Sequence, residues 1–241
     1  MIEYQVVRSH RKTLSLQVRH GQVLVRAPHY VDEKFISSFI EKKSAWLKAK
    51  IIQQSQADDF SCDFSQGSML FLFGQLTTLY ITFARQVRTL LTDDINNKQT
   101  LIIVLAERNQ KKLSNKVLLA AAVKKHIEEY FKQQAEHIIP LKVATYAQLT
   151  SLKPLRIKIR RYSSRWGSCN SRGELSFNTL LMMLPIEVIN YVVVHELCHL
   201  QHLNHSKEFW QLVAQYIPHY NQATQWVKTN QSTLLWRLPL Y

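Results

Sequence analysis

The stretch that decides the fold is "VVVHELCHLQHLNHSKEFW", residues 192–210, which holds one glutamate and four histidines between His195 and His205. Its first half has the apolar spacing that predicts a helix. His195 and His199 lie four residues apart, so on a helix their side chains share one face. Two neutral imidazoles one turn apart can bind the same zinc ion.

Glu196 follows His195 directly and lies about 100° further round the predicted helix. From there its carboxylate can reach a water on the metal and act as a general base. The spacing H-E-x-x-H is the helix motif of metalloproteases. The alternative is a surface helix with incidental histidines. The preceding "INYVVV", residues 189–194, is almost wholly apolar and predicts burial instead. Because buried polar groups without partners are costly, the sequence favours a metal site.

A zinc ion that keeps one position open for water needs a third protein ligand, and His202 and His205 compete for that role. If the helix continued, His202 would lie about 10.5 Å along its axis from His195, which is too far for three rings to converge. His205 follows a chain break predicted at Asn204 and can return to the metal from a second direction. The geometry therefore favours His205, with His202 as the alternative.

The composition is that of an ordinary globular protein, with 241 residues, 46% hydrophobic and 20% charged. No stretch approaches the roughly 20 apolar residues of a membrane span. The first residues, "MIEYQVVRSHRKTLSLQV", lack the uninterrupted apolar region of a signal peptide. The three cysteines are odd in number and scattered, which argues against a disulfide framework. These features predict a cytoplasmic protein with no membrane association.

A net charge of +14 favours polyanionic partners such as nucleic acid or nucleotides, although a basic soluble protein without such a partner is an equal alternative. In "LRIKIR", residues 155–160, strand alternation places three cations on one face, namely Arg156, Lys158 and Arg160. They form either a solvated sheet face or a basic channel that leads an anionic substrate to the metal. Arg165 and Trp166 are candidate substrate-binding residues. Trp166 serves either as a stacking platform or as an anchor between sheet and helix.

Strand patterns crowd the first half of the chain and helical patterns the second, which predicts an α+β fold. The predicted strands are 12–18, 23–28, a pair around Gly74 and Gln75, 100–106, and two that flank "NSRGE", residues 170–174. The predicted helices are 31–54, 115–139 capped by Ser114 and stopped by Pro140, 185–202, and 207–217 capped by Ser206. The chain is predicted to be one catalytic unit, 1–241, with a β-rich lobe, 1–110, and a metal-binding lobe, 111–241.

Two segments, 164–213 and 8–28, resemble the YgjP-like metal-dependent hydrolases, which are relatives of the SprT and Wss zinc proteases. The motifs that carry the resemblance are "RWGSC", "N-x-x-L-x-x-x-P" and "VVHELCHLxxxNHSxxFW". It implies a zincin-like core, in which an H-E-x-x-H helix lies beside a mixed or antiparallel sheet. The implied ligands are His195, His199 and His205, with Glu196 as the base. Zincins bind peptides along an edge strand beside the metal, and the candidates for it are "LRIKIR" and "GELSFN", residues 173–178.

The leading functional hypothesis is a zinc-dependent hydrolase with one Zn²⁺ per chain, most simply a metallopeptidase in which Glu196 activates the zinc-bound water. The first alternative is a metal-dependent nucleotide pyrophosphatase, which the basic surface would suit, although such enzymes usually use Mg²⁺ and carboxylates. The second is a nucleic-acid-binding protein with a structural zinc. Structural sites prefer four ligands and are usually rich in cysteine.

Overall fold

The computed structural model describes residues 2–19, 22–58, 62–93, 98–162 and 165–230. The architecture is α+β, as the sequence pattern predicts. The chain divides into two compact units, 1–61 and 62–241. The lobe boundary predicted at residue 110 falls inside the second unit.

The first unit is a small three-stranded sheet with two helices. Its elements are β1 (Tyr4–Ser9), β2 (Ser15–Arg19), β3 (Gln22–Pro28), α1 (Glu33–Lys42) and α2 (Ser44–Asp58). The strand order is β1-β3-β2, with β1 parallel and β2 antiparallel to β3. The single helix predicted over 31–54 is interrupted at Lys43, whose φ of −102° and ψ of 8° depart from helical values. Gly21 predicts a turn between the predicted strands 12–18 and 23–28, and it lies outside the described residues.

The second unit begins with a four-stranded sheet. Its strands are β4 (Met69–Leu72), β5 (Gln75–Ala84), β6 (Arg88–Asp93) and β7 (Gln99–Ala106), in the order β4-β5-β7-β6. β5 and β7 are parallel, and the other two pairs are antiparallel. The strand pair predicted around Gly74 is confirmed. β6 was not predicted, because it is an edge strand of mostly exposed residues and carries a weak apolar signal.

A helix of 35 residues, α3 (Lys116–Thr150), follows and packs against strands of both sheets of this unit. Its buried residues recur every four positions, namely Val123, Ile127, Phe131, Ala135, Ile139 and Val143. The predicted end at Pro140 is wrong, since this row continues past the proline. Burying apolar side chains on both sides offsets the roughly 3 kcal/mol that an interior proline costs. The cap is Asn115 rather than Ser114, because the Asn115 carboxamide oxygen accepts from the Val117 and Leu118 amides.

The second sheet of this unit has three strands, β8 (Arg156–Arg160), β9 (Gly167–Cys169) and β10 (Glu174–Asn178), in the order β8-β10-β9. β10 runs parallel to β8 and antiparallel to β9. The prediction of "GELSFN" as an edge strand is wrong, because hydrogen bonds to strands on both sides place β10 in the centre. Within the described part of the chain, β8 and β9 are the edges.

Three helices complete the second unit, α4 (Ile186–Cys198), α5 (Lys207–Tyr216) and α6 (Tyr220–Asn230). α4 packs against α3, α5, α6 and β9, which explains its nearly continuous burial. Its predicted extension to His202 is wrong, because the helix ends at Cys198 with His199 as C-cap. The predicted cap of α5 is confirmed, since the Ser206 side chain accepts from the Phe209 amide. In the described residues, we find no helix with the length and apolar character of a membrane span.

Candidate metal centre

Three histidine rings converge at the end of α4. Nε2 of His195 lies 3.2 Å from Nε2 of His199 and 3.1 Å from Nε2 of His205. The ligand atoms of all three lie within 4.8 Å of one another. The ring of His202 is not part of this group.

These distances fit a divalent metal. Zinc–imidazole bonds of about 2.0–2.1 Å in a tetrahedral arrangement place two ligand nitrogens roughly 3.3–3.4 Å apart. The observed separations of 3.1 and 3.2 Å lie close to that value. Nitrogen lone pairs at such distances repel one another unless a proton or a cation lies between them. The donor set is therefore suited to zinc.

The turn after α4 explains why His205 reaches the same point as His195 and His199. The helix ends at Cys198, and the chain reverses before α5 begins at Lys207. Nδ1 of His199 donates to the backbone carbonyl of His202 at 2.9 Å. Because a carbonyl can only accept, the His199 proton lies on Nδ1 and the lone pair of Nε2 points to the centre. His202 therefore contributes its backbone, while His205 contributes its ring.

Aromatic side chains from α5 hold the three imidazoles in place. Phe209 is fully buried and stacks on His199, with ring centroids 4.6 Å apart and an interplanar angle of 27°. The edge contacts of Phe209 with His195 and His205 are 5.0 and 4.9 Å between centroids. Trp210 stacks on His205 at 5.6 Å. This packing restricts ring rotation, so the ligand geometry is preformed.

Tyr191 lies one turn before His195 on α4, and its hydroxyl is 3.4 Å from Nδ1 of that histidine. When Nε2 faces a metal, the proton of a neutral imidazole lies on Nδ1 and can be donated to this hydroxyl. Burial raises the pKa of Tyr191 to about 12, so the phenol is neutral at physiological pH. Its ring stacks on Tyr220 of α6 at 6.4 Å.

The histidines of α4 are in the protonation state that metal binding requires. Burial lowers the pKa of His195 to about 3, and the nearby His199 and His205 contribute to this shift. Burial also lowers the pKa of His199. Both imidazoles are therefore neutral at physiological pH, as metal ligands must be.

Glu196 is buried against β9, with 6% of its surface exposed. Burial raises the pKa of its carboxyl to about 8, while the charge of Arg165 acts in the opposite direction. A Cβ atom at Gly167 would lie only 2.5 Å from Oε1 of Glu196. The glycine thus allows the carboxylate to lie directly against the strand backbone, and β9 is the edge strand that contacts α4.

Arg165 and Trp166, the predicted substrate-binding residues, immediately precede β9. The guanidinium of Arg165 lies 5.8 Å from the ring centre of Tyr162. Trp166 is half-buried and packs against the hydrophobic core, and its side chain also lines a cavity beside His195 and Glu196. Buried Asn178 fixes this segment, because its side-chain amide donates to the carbonyls of Tyr162 and Arg165 at 3.1 and 2.8 Å.

The cations predicted on β8 lie across the sheet from this centre. Arg156 and Arg160 are exposed, whereas Lys158 forms an ion pair of 2.8 Å with Glu174. β10 separates β8 from β9. These side chains therefore line the sheet edge opposite to the one that contacts α4.

Comparisons with known proteins identify the family to which the chain belongs. A model of the YgjP-like metallopeptidase domain matches residues 12–230 of the chain. The chain belongs to the YgjP-like family. No curated protein matches it. Among solved structures it is similar to the crystal structure of the metallopeptidase zymogen of Pyrococcus abyssi abylysin, with 18% identity and a TM-score of 0.36, over 42% of this chain and 99% of that one.

YgjP-like proteins are described as metallopeptidases, so this chain is a metal-dependent hydrolase. Sequence reasoning missed the residues that support the candidate centre of this YgjP-like chain. Those residues are Gly167, Tyr191, Phe209, Trp210 and Tyr220. Phe209 and Trp210 belong to the motif "NHSxxFW", so a signal for them was present, but no role was assigned. Tyr220 carries no local signal, because its contacts depend on how α6 packs against α4.

Proposed function

We propose that this protein is a zincin-like peptidase in which His195, His199 and His205 hold one zinc ion and Glu196 is the general base. The observation that carries the proposal is the convergence of three imidazole nitrogens, with the buried Glu196 lining the same cavity as His195. Membership in a metallopeptidase family supports the same reaction class. Imidazole nitrogens favour zinc over Mg²⁺, which prefers oxygen ligands.

A bound zinc ion would polarise the scissile carbonyl and acidify a water molecule. Glu196 accepts one proton from the attacking water as the bond between water oxygen and carbonyl carbon forms. It then delivers this proton to the amide nitrogen as the carbon–nitrogen bond breaks. The raised pKa of its carboxyl, about 8 without the ion, lets the group hold a proton between the two steps, and a bound cation would favour the carboxylate form that the first step needs. Gly167 keeps the carboxylate in the position that both transfers need.

The position of β9 supports a peptide as substrate. It is an edge strand in the described part of the sheet, and it contacts the helix that carries Glu196. An extended peptide can add to such an edge through backbone hydrogen bonds. A phosphoanhydride substrate gains no such contact. The cations of β8, which would suit a nucleotide, lie at the opposite edge of the sheet. We therefore favour the peptidase over the nucleotide pyrophosphatase.

A purely structural zinc site is less consistent with the ligand set. Structural sites use four protein ligands. In the part of the chain that the structure describes, the candidate group comprises His195, His199 and His205 and no fourth side chain. An open fourth position next to a buried carboxylate suits a catalytic site.

The test is the Glu196→Gln variant, with fluorescently labelled casein as substrate and zinc content measured on the same sample. We expect one zinc per chain and a loss of hydrolysis of at least about 100-fold, because the amide cannot accept the proton. Glu187→Gln is the matched control, since Glu187 is exposed in the first turn of the same helix. Hydrolysis at the wild-type rate by Glu196→Gln would contradict the assigned mechanism.

A further inference from the structure

A cavity of about 310 Å³ lies beside the candidate metal centre. His195 and Glu196 form part of its wall, so a group that enters the cavity lies next to the proposed base. Ligand pockets span roughly 300–1,000 Å³. This cavity is at the small end of that range, which suits one side chain of a substrate better than a whole nucleotide.

The wall of the cavity comes from three parts of the second unit. Trp166 precedes β9, Tyr191 and Val192 belong to α4, and Val227 belongs to α6. α4 and α6 pack against each other, so the cavity has a fixed width. Its shape therefore exists before a substrate binds.

The chemistry of this wall selects for apolar groups. Atoms of Trp166, Tyr191, Val192 and Val227 give the cavity a mostly apolar wall, to which α6 also contributes the polar residue Thr224. A charged side chain placed among these atoms would lose its hydration without gaining full compensation. One cation, Lys228, also borders the cavity, and this residue is exposed to solvent.

We propose that this cavity is a specificity pocket that receives an apolar side chain, of about the size of leucine, from a residue next to the scissile bond. The inference rests on the proposed peptidase function. It makes Val227 a specificity-determining residue, because this side chain faces the cavity from α6 and takes no part in metal binding.

The experiment measures the binding of amino-acid hydroxamates, which chelate zinc, to the zinc-loaded protein by titration calorimetry. We expect leucine hydroxamate to bind about tenfold more tightly than glycine hydroxamate, because its side chain leaves water. Val227→Phe fills the pocket and should reduce this ratio to about twofold or less, with the affinity for glycine hydroxamate unchanged. Val227→Ala enlarges the pocket and should improve phenylalanine hydroxamate relative to leucine hydroxamate. This second variant keeps the test valid if the first does not fold.

Val117→Phe is the matched control, because Val117 is exposed on α3 and does not line this cavity. It should leave the ratio unchanged. Equal binding of the leucine and glycine probes, or an unchanged ratio in both Val227 variants, would overturn the pocket. So would tighter binding of glutamate hydroxamate, which would point to recognition by Lys228. If the ratios behave as expected but casein is not cleaved, the cavity binds an apolar side chain beside the metal, whereas the proposed peptidase function fails and with it the role of the cavity in substrate specificity.

Discussion

Replacement of Gly167 by alanine tests how the candidate base is positioned. A Cβ atom at this residue would lie 2.5 Å from Oε1, 2.6 Å from Cγ and 2.8 Å from Cδ of Glu196. The strand cannot easily retreat, because Gly167 pairs with Phe177 of β10. Glu196 itself is 6% exposed and surrounded by packed atoms. The added methyl group must therefore displace the carboxylate.

The size of the displacement sets the expected effect. Carbon atoms pack at about 3.5–4.0 Å, so the carboxylate must move by roughly 1 Å. A misplacement of this size can cost about 100-fold in rate. Overpacking of a buried site costs about 1–3 kcal/mol of stability, partly offset by the lower entropy of the unfolded chain. The imidazoles of the centre are not displaced, so zinc content should stay at one per chain.

The assay combines kcat/KM on labelled casein, zinc content and urea unfolding. Gly67→Ala is the control, because Gly67 has a φ of +81° and no atom lies within 4 Å of the position that a Cβ would take. An alanine there costs about 1–2 kcal/mol through backbone strain alone. This control should lose stability and keep its activity, which separates a general loss of stability from displacement of the base.

A double-mutant cycle shows whether Gly167 acts through Glu196. In a Glu196→Ala background Cγ, Cδ and Oε1 are all absent, so an alanine at residue 167 meets none of the three atoms with which it would otherwise clash. We expect a further loss of activity below about threefold there, against about 100-fold in the wild-type background. A Gly167→Ala protein with wild-type kcat/KM would refute the reasoning, as would a cycle in which the two effects simply multiply.

Three further predictions concern the surroundings of the site and the stability of the fold. Tyr191→Phe should weaken zinc binding by about tenfold, measured by competition with a chelator, because Nδ1 of His195 loses its partner; unchanged affinity would contradict this role. His205→Ala should lose zinc at a chelator concentration that His202→Ala tolerates, and the reverse result would make His202 the third ligand. Burial lowers the pKa of His126, so the unfolded chain binds that proton more readily. Stability should therefore fall as pH drops below about 6.5. His126→Gln should reduce this loss in urea titrations between about pH 7 and 5, and the remainder comes from His195 and His199, whose pKa values are lowered in the same direction.

The elements that were predicted correctly are those whose sequence signal lies within a few neighbouring residues. The cap at Ser206 and the strand pair around Gly74 are of this kind. The stop at Pro140 failed because a local rule was outweighed by burial along 35 residues of α3. The prediction of "GELSFN" as an edge strand failed for a related reason, because the sequence of β10 alone does not encode its pairing with both β8 and β9.

For the candidate site, sequence spacing predicted which imidazoles could meet but not what holds them. For His205 to meet the other two imidazoles, the helix only had to end and the chain had to turn back towards them. The stacking of Tyr220 on Tyr191 and Trp210, which contact the imidazoles, depends on how the helices pack, and no local spacing encodes this packing. The close approach of Gly167 to Glu196 likewise joins residues 29 positions apart. The motif "RWGSC" contains this glycine, but no role was predicted for it, because its partner lies on a different element.

The end of α4 at Cys198 explains both the orientation of His199 and the position of His205. Had the helix continued, His205 would lie about 15 Å along the axis from His195, out of reach of any shared ion. Because the helix ends at Cys198, the carbonyl of His202 is available to orient His199, and the same turn returns His205 to within 3.1 Å of His195. The centre thus needs the backbone carbonyl of His202 but not its side chain. A residue other than histidine at this position should preserve the centre, whereas a change that extends the helix by one turn should abolish it.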